Sequence, residues 1–202
     1  MRIDHQLAEQ WIQQGSRVLD LGCGDGDLLH HLQTTRNISG YGIEIDSDKM
    51  NDAIAKGVNI IEQDLNGGLA RFADKSFDTV VMARALQAVN EPDQLLLDML
   101  RVGREVIVTF PNFAHWQNRL HLGIKGMMPM SEALPYAWYN TPNIHLCTFK
   151  DFEKLCRDND IKILNRFAVS DSEDGYPFIL RQLIRKNPNL LADVAIYRVT
   201  KS

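Results

Sequence analysis

Residues 18–29 read VLDLGCGDGDLL. An apolar run of strand length enters three glycines and leaves on paired leucines that open a helix. Glycine-rich turns of this kind hold nucleotides, so the reading turns on which kind. The dinucleotide fingerprint GxGxxG fails: Gly22 and Gly24 fit, Asp27 stands at the third position, and the third glycine is Gly26. No glycine-lysine-serine or glycine-lysine-threonine follows, which removes the P-loop. Charge is the second argument. A pyrophosphate wants a helix N-terminus and cations, whereas Asp20, Asp25 and Asp27 surround this turn and repel it. A ligand without phosphate that carries a sulfonium and an ammonium, such as S-adenosylmethionine, suits the same acids.

Outward from the turn, strand-like and helix-like segments alternate. Strands are expected at Arg17–Leu21, Tyr41–Ile45, Val58–Ile61, Phe77–Met82, Glu105–Phe110, Ile161–Val169 and Val194–Thr200. Helices are expected at Asp4–Gln13, Asp27–Thr35, Ser47–Lys56 with Ser47 as N-cap, Pro92–Val102, and from Thr148 to Asn159. Thr148 and Asp151 have capping-box spacing, with Asp a weaker partner than Glu. Five strand–helix alternations predict an α/β, doubly wound, mostly parallel sheet with helices on both faces and an antiparallel last strand. The whole of 1–202 is expected to form one domain. Residues 111–147 break the alternation as an aromatic-rich insertion, too long for an ordinary connection.

Bulk numbers narrow the class. The 202 residues carry a net charge of −4, which argues against a broad nucleic-acid surface. Three cysteines, Cys23, Cys147 and Cys156, with no CxxC pair, point to a reducing compartment rather than a disulfide framework. No apolar run is long enough to span a membrane, and the first residues lack a signal-peptide core. The protein is read as cytoplasmic, with neither nucleic acid nor membrane as partner.

The remaining stations of a nucleotide site fall at the ends of successive strands, where open α/β sheets bind ligands. In GYGIEID, Glu44 lies 22 residues beyond Gly22, placed to accept both ribose hydroxyls, with Asp46 as the less favoured alternative. In EQDLN, Asp64 can take an adenine amino group and Leu65 the ring. The bland readings are a solvated acid at the end of a strand for Glu44 and a turn former for Asp64.

As a set, VLDLGCGDG, GIEID, QDL and SFDTVVMARALQAV resemble the motifs of the class I S-adenosylmethionine-dependent methyltransferase fold over residues 17–110. The resemblance implies S-adenosylmethionine or S-adenosylhomocysteine as cofactor, with contacts at Asp20, Gly22, Cys23, Gly24, Glu44, Ile45, Asp64, Leu65, Ala83 and Arg84. Further on, FPNFAHWQNRL, GMMPM and LPYAWYNTPNIHLCTFKDFEKLC resemble the MetW family of methionine-biosynthesis proteins. That resemblance implies support of homoserine O-acyltransferase, the enzyme that activates homoserine for sulfur incorporation. The chain departs from the general methyltransferase pattern at LRVGREV, where a Pro-Gly-Gly turn is usual. Few residues precede the first strand, where many methyltransferases use a longer segment as cover, and residues 111–147 are the expected alternative.

Two functions stay open. One is an accessory or regulatory protein that binds S-adenosylmethionine and partners homoserine O-acyltransferase; the other is a small-molecule methyltransferase. No N/D-P-P-Y/F string follows the fourth strand, and no proline-cysteine nucleophile is present. No catalytic residue is assigned; the candidate bases are His115, Tyr136 and His145, and no metal site is expected. His115, Trp116, Arg119, Tyr136, Trp138, Tyr139 and His145 form either an acceptor pocket, a docking surface or a plain cap, since aromatic residues, methionine and arginine are enriched at interfaces.

Overall fold

The structure is a computed structural model and describes residues 2–131, 133–170 and 178–201. Its seven strands are β1 (Arg17–Leu21), β2 (Ser39–Glu44), β3 (Ile60–Glu62), β4 (Phe77–Ala83), β5 (Gly103–Pro111), β6 (Ile161–Val169) and β7 (Val194–Lys201). They form one sheet in the order β3-β2-β1-β4-β5-β7-β6. The pairs linking β3 through β5 are parallel, and β7 runs antiparallel to both β5 and β6. Strand order therefore reverses between β1 and β4, which places the topological switch point beside the glycine turn.

The helices are α1 (Ile3–Glu9), α2 (Asp27–Arg36), α3 (Ser47–Ala55), α4 (Pro92–Val102), α5 (Trp116–Lys125), α6 (Phe149–Asp158), α7 (Phe178–Lys186) and α8 (Pro188–Leu191). Leu28, Leu29 and Leu32 of α2 pack with Ala8 and Ala53 on one face of the sheet. Leu95, Leu96, Met99 and Leu100 of α4 pack with Phe149 and Phe152 of α6 on the other. The central strands are buried on both sides, which is why β1 and β4 read as continuous apolar runs rather than alternations. On the α6 side, Phe110, Phe149, Phe152 and Tyr197 form one aromatic cluster with centroids 4.7–6.5 Å apart.

Several local expectations shift. The cap of α3 is Asp46, not Ser47: its extended backbone lets the carboxylate accept from the Asp48 and Lys49 amides at 3.0 and 3.3 Å. At α6 the Thr148 hydroxyl accepts from the Asp151 amide as expected, but Asp151, one methylene shorter than Glu, takes the Thr148 hydroxyl at 2.7 Å rather than the backbone. The third strand sits at Ile60–Glu62, starting two residues and ending one residue later than the expected Val58–Ile61. The first helix ends at Glu9, because Trp11 and Ile12 already bond three residues back. Helices α5, α7 and α8 were not expected.

Gly26 fixes how α2 leaves the turn. Its φ is +75°, and an added Cβ would lie 2.8 Å from the Cβ of Ala53 in α3. Gly26→Ala is therefore expected to destabilise the fold by at least about 1 kcal/mol, through left-handed strain plus overpacking. Urea unfolding checks this; an unchanged midpoint would show that α2 and α3 can separate freely.

Candidate functional site

At the carboxyl end of β1 the turn opens a cleft of about 170 Å3 lined by Asp20, Gly22, Cys23, Gly24, Asp25, Asp27 and Ala83, together with Arg2 and His5. The three acids of the turn are not equivalent. Asp25 and Asp27 share one cation: Lys56 Nζ lies 2.7 Å from Asp25 Oδ2 and 2.5 Å from Asp27 Oδ1. Asp20 is 2% exposed, and its Oδ1 has no hydrogen-bond partner. Burial pushes its carboxyl up to about 7; Arg2 opposes this and Glu44 adds to it. A buried acceptor of this kind is completed by a cation or a donor entering the cleft.

The sign of the pH effect follows. The folded carboxyl holds its proton up to about pH 7, whereas the ordinary value is 3.8. Its stabilising share is complete below pH 3.8 and is lost as pH rises through 7. Asp20→Asn is expected to remove that loss, so wild type should weaken relative to the variant between pH 5 and pH 8. Denaturant midpoints of both proteins at the two pH values measure it, and parallel behaviour would rule out a buried, proton-holding Asp20.

Glu44, at the end of β2, organises the same turn from the side. It is 9% exposed. It accepts from the Gly24 amide at 2.9 Å, the Ile45 amide at 2.8 Å and the Asp46 amide at 3.1 Å. The parallel register of Leu21 beside Ile43 brings the two strand ends together. Gly24 has φ +58°, and an added Cβ would meet nothing within 4 Å, so its backbone stands open to a ligand. Ile45 lies outside β2 and is 61% exposed.

The other sequence-derived positions lie at different distances from this centre. Asp64 is exposed and caps a 3-10 turn, accepting from the Asn66 amide and side chain at 2.9 Å, as a turn former does. Leu65 lines a neighbouring cavity of about 340 Å3 with Val89 and Leu95. Arg84, with φ +57°, donates from Nε to Asp4 at 3.2 Å. Asp4 is fully buried in α1 and also takes the Thr109 hydroxyl at 3.0 Å and pairs with Arg2 at 3.2 Å. Burial would raise its carboxyl, but Arg2, Arg84 and Thr109 hold it below the ordinary range. Sequence reasoning missed this hub and, with it, the entry of Arg2 and His5 into the cleft. Burial and Arg2 hold the His5 imidazole down at about 4, so it is neutral near pH 7.

None of the described residues between 111 and 147 lines the cleft. His115 is 7% exposed and faces Asp193, Nδ1 to Oδ1 3.5 Å. His145 is exposed and its Nε2 sits 3.1 Å from the Asn90 carbonyl. Arg119 binds the Ala114 carbonyl at 2.6 Å and the Asn189 carbonyl at 3.4 Å. Trp116 and Tyr136 are about half exposed, whereas Trp138 and Tyr139 are 74% exposed and edge-to-face at 5.7 Å. Helix α5 is inverted: it buries Asn118 and exposes Trp116, Leu120, Leu122 and Ile124. Of nineteen large apolar or aromatic side chains exposed among the described residues, twelve lie between 116 and 146.

All three thiols are pushed up by burial, Cys147 and Cys156 to about 12, which keeps them protonated and poor nucleophiles. Among the described residues no helix is long and apolar enough to cross a membrane, and no group of three His, Cys, Asp or Glu side chains is placed to hold a metal.

Sheet order, switch point and glycine turn together define a class I methyltransferase-like fold. Solved structures agree at the level of the fold. An S-adenosylmethionine-dependent methyltransferase from Mesorhizobium loti superposes with TM-score 0.68 at 14% identity, over 97% of each chain. The cyclase SpnF superposes with TM-score 0.66 at 19% identity, over 98% of this chain and 80% of that one. Within this fold the chain belongs to the MetW family: the family model described as methionine biosynthesis protein MetW matches residues 2–199. The bifunctional methionine biosynthesis protein MetXA/MetW of Rhodopirellula baltica is 34% identical over 205 residues. The match covers 97% of this chain and 32% of that relative, so the chain spans about a third of its length.

Proposed function

We propose that the chain, acting as one methyltransferase-like domain, is an accessory protein of methionine biosynthesis. It binds S-adenosylmethionine or S-adenosylhomocysteine at the glycine turn and docks on homoserine O-acyltransferase through residues 111–147. The observation that carries this reading is a separation. The acidic cleft is lined by the turn and the start of α1, while the aromatic segment turns its apolar side chains to solvent. A transferase needs a dry site with its acceptor positioned, yet His115, Tyr136 and His145, the candidate bases, are not among the residues lining the cleft. The relative whose name joins MetXA to MetW in one chain supports the choice of partner.

The donor set fits an adenosyl ligand. Asp20 offers an unpaired buried oxygen to the ammonium, Gly24 an open backbone, and Glu44 a carboxylate to the ribose, while Gly22 packs against Ala85 and shapes the turn. A cleft of about 170 Å3 is below the ~300 Å3 usual for whole small molecules. It suits the amino-acid end of the ligand, with Ala83 in its wall, leaving Ile45, Asp64 and Leu65 for the nucleoside. Arg84 is held by Asp4 and acts through the floor of the site rather than on the ligand. When bound, S-adenosylmethionine would bring a sulfonium-activated methyl group; the residues here bind and orient it.

Co-purification with homoserine O-acyltransferase, followed by its assay with and without S-adenosylmethionine, tests the proposal. A stable complex whose activity or assembly responds to the ligand is expected. Response requires that the ligand bind free and assembled protein with different affinity. Absence of a complex defeats the accessory reading. Labelled S-adenosylmethionine incubated with cell extract tests the methyltransferase alternative, and a product that depends on the protein would establish it.

A further inference from the structure

A second cavity, of about 350 Å3, opens between α6, β6 and the α7–α8 connection, with Arg119 of α5 at its rim. Four cationic side chains line it, Arg119, Lys150, Arg166 and Lys186, against one acid, Glu153. That acid is already engaged: Glu153 Oε1 accepts from Arg166 Nη1 at 2.7 Å and from the Tyr197 hydroxyl at 2.9 Å. Arg119 is held on two backbone carbonyls, which fixes its fork without neutralising its charge. The ammonium groups of Lys150 and Lys186 have no carboxylate within 4 Å among the described residues. Three uncompensated positive charges thus gather in one concave site of a chain whose net charge is −4. Low-dielectric walls such as Phe149 and Pro188 focus that field.

We propose that this cavity is an anion site for a small ligand bearing a diphosphate. A single carboxylate would leave two of the charges unmatched, whereas a diphosphate carries about three negative charges near neutral pH and presents oxygens to both lysines and to the guanidinium forks. Asn189, whose side-chain oxygen faces the Lys150 amide at 3.4 Å, leaves its amide nitrogen as a neutral donor at the same wall. The acidic glycine turn has the opposite charge requirement, so the two sites select different ligands.

Calorimetric titration of the full chain with inorganic pyrophosphate tests this. Saturable binding is expected, weakening as salt rises. Lys150→Ala with Lys186→Ala should weaken it at least tenfold. Lys162→Ala, on β6 but outside the cavity, should leave it unchanged. Both lysines of the double variant are exposed, so its fold is expected to survive, and a thermal melt confirms that. Absence of saturable binding overturns the proposal. So does an equal loss in the double variant and in Lys162→Ala, which would reveal general charge attraction. Tighter binding of a tricarboxylate than of pyrophosphate would overturn the choice of phosphate.

Discussion

Replacing Glu44 with alanine is expected to lower affinity for S-adenosylmethionine by roughly ten- to a hundredfold, the cost of losing a charge-assisted acceptor worth about 1.5–3 kcal/mol. Loss of the proposed ribose contact is only part of the expected effect. Glu44 accepts from the backbone amides of Gly24, Ile45 and Asp46, and its removal strips acceptors from all three. Each donor left dry adds a penalty, so a stability loss of about 1–3 kcal/mol is expected alongside. Calorimetry separates the two. A variant that is merely less folded binds with reduced stoichiometry and an unchanged dissociation constant. A variant that has lost the ribose acceptor binds at full stoichiometry with a weakened constant. Wild-type affinity in the folded fraction would show that Glu44 serves the turn and not the ligand.

The parts of this site that sequence could reach are those the chain or the sheet brings together locally. Asp20, Gly22 and Gly24 are near neighbours in the chain, and Glu44 joins them through one parallel strand pair. What stayed hidden depends on distant partners. Asp4 in a short helix reads as a solvated charge, yet Arg84 and Thr109, 80 and 105 residues away, bury it and draw Arg2 and His5 over the cleft. Lys56 gives no sign in the sequence that it neutralises Asp25 and Asp27, which leaves Asp20 as the distinctive acid of the turn. Helix α5 was hidden for another reason. Trp116, Leu120 and Ile124 do recur at helical spacing, but such a stripe ordinarily faces a core. Here it faces solvent, while Asn118 turns inward to the Asn112 and Phe113 carbonyls.

That inversion sets the expectation for the proposed docking surface. Trp138→Ala combined with Tyr139→Ala should weaken the complex with homoserine O-acyltransferase by at least about thirtyfold, the loss of a single aromatic hot spot worth about 2 kcal/mol. The effect should fall mainly on the dissociation rate, measured by surface plasmon resonance. Stability should stay within about 0.5 kcal/mol of wild type, because surface substitutions that break no core contact cost little and both rings are 74% exposed. S-Adenosylmethionine affinity should not change, since neither residue lines the glycine-turn cleft. These three readouts divide the roles open to the segment. A cap would lose stability and keep the complex. An acceptor pocket would keep both and lose only a product of methyl transfer. A docking surface alone loses the complex while the monomer and its ligand site remain intact. That pattern is the one expected of a segment whose Trp138 and Tyr139, like the apolar face of the preceding helix, stand exposed to solvent.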